Sequence, residues 1–318
     1  MQTQTTLLTQ PSVSTRKVGL APVALFVYNR PDHTRRTVEA LQKNELASQS
    51  DLFVFSDGPR NPAGTAGVQQ VREFIRGIKG FRSITLIERD RNFGLAKSII
   101  DGISQIMEDF DRAIAVEDDL LTSPDFLTYI NLALDRYATT DQVFSVSGYN
   151  YPIVPPTSYS FDAYFAYSPM CWGWGMWKDR WQKIDWSVSD YPAFAKDREQ
   201  QKRFERGGSD VSWMLARQMA GKADSWDIVW AYSHFKHDAV ALLPVVSKVY
   251  NTGFDGSGIH CRRAPFKQSL LARDTYSDYR FPECVELHPY FVEEIRRLRH
   301  RSLVRRLGRF VYDQLGLK

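Results

Sequence analysis

Between residues 22 and 116 the chain alternates four times between an apolar run of strand length and a segment bearing helical periodicity. The runs are Pro-Val-Ala-Leu-Phe-Val at 22–27, Leu-Phe-Val-Phe at 52–55, Ser-Ile-Thr-Leu-Ile at 83–87 and Ala-Ile-Ala-Val at 113–116. Each is too short for a buried helix and is bounded by turn or charged residues, which reads as a buried strand. Between them, 33–42 turns Val38 and Leu41 inward and Arg35, Arg36 and Glu39 outward, while 68–77 and 96–110 also carry helical spacing. Strand and helix alternating at this interval predict an α/β fold: a central, mostly parallel, Rossmann-like sheet flanked by helices. A chain of 318 residues with 43% hydrophobic content can bury such a sheet in one large domain.

In open parallel sheets ligands bind outside the carboxyl ends of the strands. The polar residues expected there are Tyr28 and Arg30, Asp57, Arg91 and Asn92, and then Glu117, Asp118 and Asp119. No GxGxxG or Walker A sequence follows any of these strands, so neither a dinucleotide fold nor a P-loop NTPase is supported. Three adjacent carboxylates at a buried strand end repel one another unless a cation or hydrogen-bond donors meet them. Hard oxygen ligands in that setting favour Mg²⁺ or Mn²⁺, with substrate phosphates and water completing the coordination. The alternative is a strand that runs into an acidic, solvated loop. Together these residues suggest a nucleotide diphosphate held by side chains and a metal.

Beyond 144–147 (Phe-Ser-Val-Ser) aromatics and prolines dominate as far as Trp186, including Cys-Trp-Gly-Trp-Gly-Met-Trp at 171–177. Rings alternating with glycine can stack on a sugar face, and tryptophan is equally a core residue, so Trp174 has both readings. A polar helical excursion over 190–208 precedes an expected helix at 211–219. Ser-Trp-Asp at 225–227 then sets an acid among aromatics, where burial raises a carboxylate's proton affinity. That makes Asp227 a candidate general base beside Trp226, with a helix cap as the other reading. The glycine-rich loop 251–260 ends on His260, which can reach phosphate or metal, or can simply lie on the surface.

Charge is distributed unevenly. Residues 295–318 carry seven Arg and one Lys against one Asp, a local +7, which leaves the other 294 residues near −3. The body is therefore not a nucleic-acid binder by charge. Apolar residues at helical spacing from Tyr290 onward, with arginines between them, read either as an amphipathic helix on an anionic membrane or as a packing helix with a basic face. No apolar run approaches the roughly twenty residues of a membrane span. Met1 to Thr15 is polar and lacks a signal-peptide core, so 1–18 is expected to be a disordered tail. Three sparse cysteines (Cys171, Cys261 and Cys284) have no ligand spacing and fit a reducing cytoplasm, with peripheral membrane contact through the terminal helix as an added option.

The acid triplet with Ser-Pro-Asp-Phe at 123–126, the Gly-Trp-Gly-Met-Trp block at 173–177, and the Trp226-Asp227 pair ahead of the glycine loop together resemble a GT-A glycosyltransferase. They are most similar to the inverting N-acetylglucosaminyltransferase I type (family 13) and its bacterial relatives in polysaccharide synthesis, over roughly residues 22–260. The resemblance implies a nucleotide-sugar donor, UDP-linked with GlcNAc as the candidate sugar, and a glycan or lipid-linked oligosaccharide as acceptor. It implies Asp119 as the direct Mn²⁺ (or Mg²⁺) ligand, Asp118 toward the ribose, and Glu117 toward the donor sugar and metal waters. Tyr28, Arg30, Asp57 and Asn92 fall at positions that hold uridine and diphosphate, Trp174 would line the donor sugar, and Asp227 matches the catalytic base. Residues 257–260, with His260, would belong to the loop closing on the donor. Asn92 stands where the animal enzymes have a histidine, and Trp174 where they have a leucine.

The expected organisation is a nucleotide-sugar-binding half (19–148), an acceptor-side, catalytic half of the same domain (149–288), and a basic C-terminal helix (289–318). Two rival classes remain at this stage. A sugar nucleotidyltransferase would need a glycine- and basic-rich loop after the first strand, which Tyr28-Asn29-Arg30-Pro31 does not resemble. A catalytically inactive nucleotide-sugar or carbohydrate-binding module would bind donor without turnover.

Overall fold

The computed structural model describes residues 19–257, 268, 271 and 276–299. The tail at 1–18, His260 and the terminal segment 300–318 lie outside the described residues.

The four expected strands form, each preceding or following a helix as anticipated: β1 (Val23–Val27), α1 (Pro31–Gln42), β2 (Asp51–Ser56), α2 (Thr65–Ile75), β3 (Ser83–Glu88), α3 (Leu95–Asp109) and β4 (Arg112–Glu117). They pair in parallel in the order β3-β2-β1-β4, with Val23 beside both Leu52 and Ile114. Pro31 opens α1, where its fixed φ suits a first helical turn and its missing N–H costs nothing. α2 begins three residues earlier than the periodicity suggested and ends two earlier.

The second half continues with β5 (Leu120–Thr122), α4 (Phe126–Arg136), β6 (Val143–Ser147), β7 (Ala163–Ala166) and β8 (Trp174–Trp177). After the short helix α5 (Lys178–Trp181), the polar excursion at 190–208 becomes the short helices α6 (Tyr191–Phe194) and α7 (Arg198–Phe204). Then follow α8 (Val211–Met219), α9 (Trp226–Lys236), β9 (Val240–Pro244), β10 (Val249–Asn251) and α10 (Pro289–Arg299). The eight-stranded sheet has the order β3-β2-β1-β4-β8-β6-β9-β7, and only β8 and β7 run against the rest. A mostly parallel α/β sheet flanked by helices is therefore what the chain adopts. A separate two-stranded ribbon pairs β5 with β10.

Successive side chains of a strand face opposite ways, and β1 divides accordingly. Val23, Leu25 and Val27 enter the core under α1, α2 and α4, whereas Ala24 and Phe26 enter the one under α3 and α9. Gly102 on α3 permits a close approach, because a Cβ there would fall 2.7 Å from the Phe26 ring. A third, smaller cluster joins α6, α7, α8 and α9. Through this packing the ends of β1, β2, β3 and β4 meet along one rim of the sheet.

α10 changes the reading of the basic C-terminal helix. Phe291 is fully buried and stacks on Tyr164 of β7 at 3.9 Å, and Ile295 is buried beside it. The first turns of that apolar stripe thus face the protein, which leaves them unavailable to a membrane. No helix among the described residues is long and apolar enough to cross one.

Candidate active site

β4 runs buried to Val116 and delivers three carboxylates at its end. Asp118 is 4% exposed and accepts from the Tyr28 backbone N–H at 3.4 Å, and its own carbonyl accepts from the Thr37 hydroxyl at 2.8 Å. Arg30, just before α1, reaches both neighbours: its Nη2 donates to Asp118 Oδ1 and, at 2.8 Å, to Asp119 Oδ2. One guanidinium therefore bonds two acids of the triplet, and Glu117 has no ion-pair partner among the described residues.

The electrostatics follow from that count. Burial alone would lower the Arg30 proton affinity, but Asp118 and Asp119 outweigh it and raise it above the ordinary arginine value. Burial pushes Glu117 well up from the usual carboxylate range, and Asp119, Asp118 and Asp227 add to the push while Arg30 opposes it. Burial likewise raises Asp118, against the pull of Arg30. The rim is short of positive charge.

The β5–β10 ribbon brings a distant loop to this point, with Asn251 opposite Leu120. Thr252 donates to the Asp119 carbonyl from its N–H at 2.8 Å and its hydroxyl at 2.9 Å. Gly253 packs so tightly on the Asp119 carboxylate that a Cβ would lie 2.1 Å from Oδ2. His33 of α1 sits 3.2 Å from Asp255 and 3.4 Å from the Thr252 carbonyl, tying the same loop to the first helix. The sequence marks the 251–260 loop but neither His33 nor the seating of Thr252 and Gly253 on Asp119, because these pairings join segments some 130 to 220 residues apart.

Asp57 and Asn92 are brought together, chiefly with each other. The Asp57 carboxylate accepts from the N–H groups of Gly58, Phe93 and Gly94 and from Asn92 Nδ2 at 2.8–3.1 Å. Asn92 Nδ2 also donates to the Gly58 carbonyl at 2.9 Å. The pair shapes the loop into α3, where Gly94 takes φ +77, a left-handed conformation suited to glycine. Tyr28 stands half-buried at the rim with its hydroxyl accepting from the Arg60 N–H at 3.0 Å.

Trp174 does not line this rim. It is 1% exposed in β8 and packs against Trp230 at 4.7 Å, Trp226 at 5.6 Å and Trp181 at 5.9 Å, a core cluster behind β4. Such a ring has no free face for a sugar. The half-buried ring on the loop side is Trp172, edge-to-face with Tyr149 at 4.5 Å and Phe254 at 5.5 Å. Gly173, at φ +63, makes the turn between the two tryptophans.

Trp226 opens α9 and is also buried in the cluster, while Asp227 beside it remains half-buried. The Ser225 hydroxyl donates to Asp227 Oδ1, and the Ser225 N–H donates to Gln218 Oε1 at 2.7 Å. The Asp227 charge also acts on Glu117 and adds to the upward push on its carboxyl. Asp224 approaches the 92–94 loop from the same side: a Cβ on Gly94 would come 3.9 Å from its Oδ2.

Among the described residues no group of three His, Cys, Asp or Glu side chains is arranged to hold a metal ion by itself. The under-neutralised oxygen donors at the end of β4, buried at Asp118 and half-buried at Glu117 and Asp119, fit instead a cation bound by one or two carboxylates and completed by substrate phosphates.

No family model matches this chain, and no curated protein matches it. Among solved structures it is similar to a mannosyltransferase from Pyrobaculum calidifontis in complex with GDP-Man and Mn²⁺, at 13% identity over 71% of this chain and 72% of that one, with a TM-score of 0.37. It is also similar to S. aureus TarS, at 10% identity over 73% of this chain and 36% of TarS, with a TM-score of 0.43.

Proposed function

We propose that this chain is an inverting glycosyltransferase that moves a sugar from a nucleotide-diphosphate donor to a hydroxyl of a glycan or lipid-linked oligosaccharide. The observation that carries the reading is the set of under-neutralised carboxylates at the end of β4, two of them bonded to one guanidinium, with the Asp227 charge acting on the third. The resemblance in the sequence to the N-acetylglucosaminyltransferase I type makes UDP-N-acetylglucosamine the first donor to try, with Mn²⁺ or Mg²⁺.

Asp119 would hold the cation, with Asp118 and Glu117 beside it. The metal, when bound, would neutralise the charge of the leaving diphosphate as a Lewis acid. Arg30 already stands on both aspartates, so phosphate oxygens entering there gain a guanidinium suited to bidentate contact. Tyr28 and the loop shaped by Asp57 and Asn92 would bound the nucleotide. At Asp227 the Ser225 hydroxyl occupies Oδ1, which leaves Oδ2 to accept the acceptor hydroxyl's proton. The acceptor oxygen bonds the anomeric carbon as the carbon–phosphate-oxygen bond breaks on the opposite face. Nucleoside diphosphate leaves and the anomeric configuration inverts.

The test is a screen of UDP-, GDP- and dTDP-sugars for thermal stabilisation and slow hydrolysis, in Mn²⁺ and then in EDTA. One donor should respond only with metal, Asp119→Ala should lose binding and turnover together, and Asp227→Asn should lose turnover by at least ~100-fold with donor binding retained. A protein inert to every donor with and without metal overturns the reading.

A further inference from the structure

α10 ends on Arg299, and this residue is not a surface cation. Its side chain is 16% exposed, and Nη1 donates to the Gly207 carbonyl at 2.9 Å. Nη2 donates to Asp210 Oδ1 at 3.1 Å, and the guanidinium also bonds the Tyr151 hydroxyl. The Arg299 carbonyl accepts from the Ser209 hydroxyl at 3.1 Å. Gly208 between them adopts φ +152, and a Cβ there would fall 2.6 Å from Arg299 Nε, so both backbone and guanidinium demand glycine. The 207–210 turn is thus built around one arginine from the far end of the chain.

That turn leads directly into the site. Asp210 is the residue before α8, Gln218 in the last turn of α8 holds the Ser225 N–H, and the Ser225 hydroxyl holds Asp227. We infer that Arg299 is a positioning residue for the Asp227 carboxylate: it anchors the start of α8, and α8 anchors the 225–227 turn that aims the base. The inference rests on the reading of Asp227 as the base. It makes the C-terminal helix a working part of the acceptor side instead of an appendage.

Two further facts favour this role over plain packing. Burial would lower the Arg299 proton affinity, but Tyr151, Asp210 and Asp227 raise it above the ordinary value, so the side chain is a permanent cation within electrostatic reach of Asp227. The contact is also a fork, with separate guanidinium nitrogens on a carbonyl and a carboxylate, a geometry a lysine ammonium cannot reproduce.

The test compares Arg299→Met, Arg299→Lys and Ser225→Ala in the full chain with wild type. Hydrolysis of UDP-N-acetylglucosamine in Mn²⁺, or of whichever screened donor the wild type turns over, gives kcat and KM, and calorimetry with UDP and Mn²⁺ gives donor-site affinity. A carboxylate moved by about 1 Å costs on the order of 100-fold in rate. Arg299→Met is expected to lower kcat by about 30- to 100-fold with KM and UDP affinity within twofold of wild type. Ser225→Ala should show the same split at about 10-fold, and Arg299→Lys should recover to within about 3- to 10-fold of wild type. The inference is overturned if Arg299→Met keeps kcat within threefold, or if kcat falls only as the folded fraction falls. Should the Met variant not fold, a folded Arg299→Lys at full wild-type kcat overturns it. A wild type that turns over donor while Asp227→Asn is equally active sinks the reading of the base, and is told apart by that control.

Discussion

Arg30→Met tests the charge count at the strand end. The guanidinium is the counter-ion of Asp118 and Asp119, whose side chains are 6% and 14% exposed, and is itself 20% exposed. Removing one partner of a buried pair costs about 3–5 kcal/mol, because the other is left charged and unpaired. Two features reduce that cost here. The acids can take up protons, since burial has already raised Glu117 and Asp118, and the rim is open to some water. In EDTA at neutral pH the expected loss is therefore about 2–3 kcal/mol, read as a fall of roughly 5 °C or more in Tm for a chain of this size. The sign with pH follows from the same shifts. A carboxyl raised in the folded state holds a proton the unfolded chain has released. Stability of the metal-free protein should then fall as pH rises from the ordinary carboxylate range through the raised values, more steeply in the variant. Mn²⁺ without nucleotide should recover more stability in Arg30→Met than in wild type, because it replaces the missing charge. Thermal unfolding in EDTA and in Mn²⁺, at several pH values, gives all three quantities. A loss below 1 kcal/mol together with equal Mn²⁺ responses would refute the argument that Arg30 balances these acids.

His234 is buried between the Ser145 hydroxyl at 2.8 Å and the Trp230 carbonyl at 2.9 Å, and burial pulls its pKa down to about 4. The carbonyl can only accept, so Nδ1 carries the proton and Nε2 accepts from Ser145. Stability from this neutral ring is complete above about pH 6.5 and is lost toward pH 4, about 3 kcal/mol in all, because only the unfolded chain protonates over that window. Chemical denaturation from pH 7 to 4 should show this slope, and His234→Gln should flatten it. Gly253→Ala places a methyl 2.1 Å from Asp119 Oδ2, so loop or carboxylate must shift. UDP affinity in Mn²⁺ should fall at least ~10-fold with the metal-free Tm nearly unchanged, and unchanged affinity would remove Asp119 from the metal site.

The first half of the fold was legible because its signal is local. An apolar run of four to six residues, a turn and a helical stripe are each contained within about fifteen residues, so 22–116 read as four strands in a parallel sheet before any pairing was known. The strand-end acids were visible for the same reason. The later sheet was not. β8 inserts antiparallel between β4 and β6, and β5 pairs with β10 some 130 residues away, pairings with no short-range signature. Trp174 and Trp172 differ by two positions in an identical aromatic and glycine setting, and only the turn at Gly173 sends one into the core and leaves the other at the loop. The apolar stripe of α10 suggested a membrane face equally well, because periodicity reports that a face is buried and not what buries it. Asp227 could be named from its setting among aromatics, whereas its anchors at Ser225, Gln218 and Arg299 required the packing of α8, α9 and α10.

The same tryptophans explain how the first turn of α9, which carries Asp227, is held against the sheet. β8 lies directly against β4, with Trp174 beside Ala115, and sends Trp174 and Met176 to the face covered by α9, while Trp177 turns to the core under α4. Trp226 and Trp230, one turn apart on α9, stack on one another and pack at a tilt against Trp174, so the first turn of the helix is fixed by ring-on-ring contact. The small residues Ala113 and Ala115 on β4 leave the depth those rings need. On the opposite face Gly175 lets α4 close on the sheet, since a Cβ there would meet Ile130 at 2.7 Å. Aromatic rings bury about 150–250 Å² each and have few rotatable bonds, so they transmit position with little play. The position of the helix turn that carries Asp227 is thus set through the core.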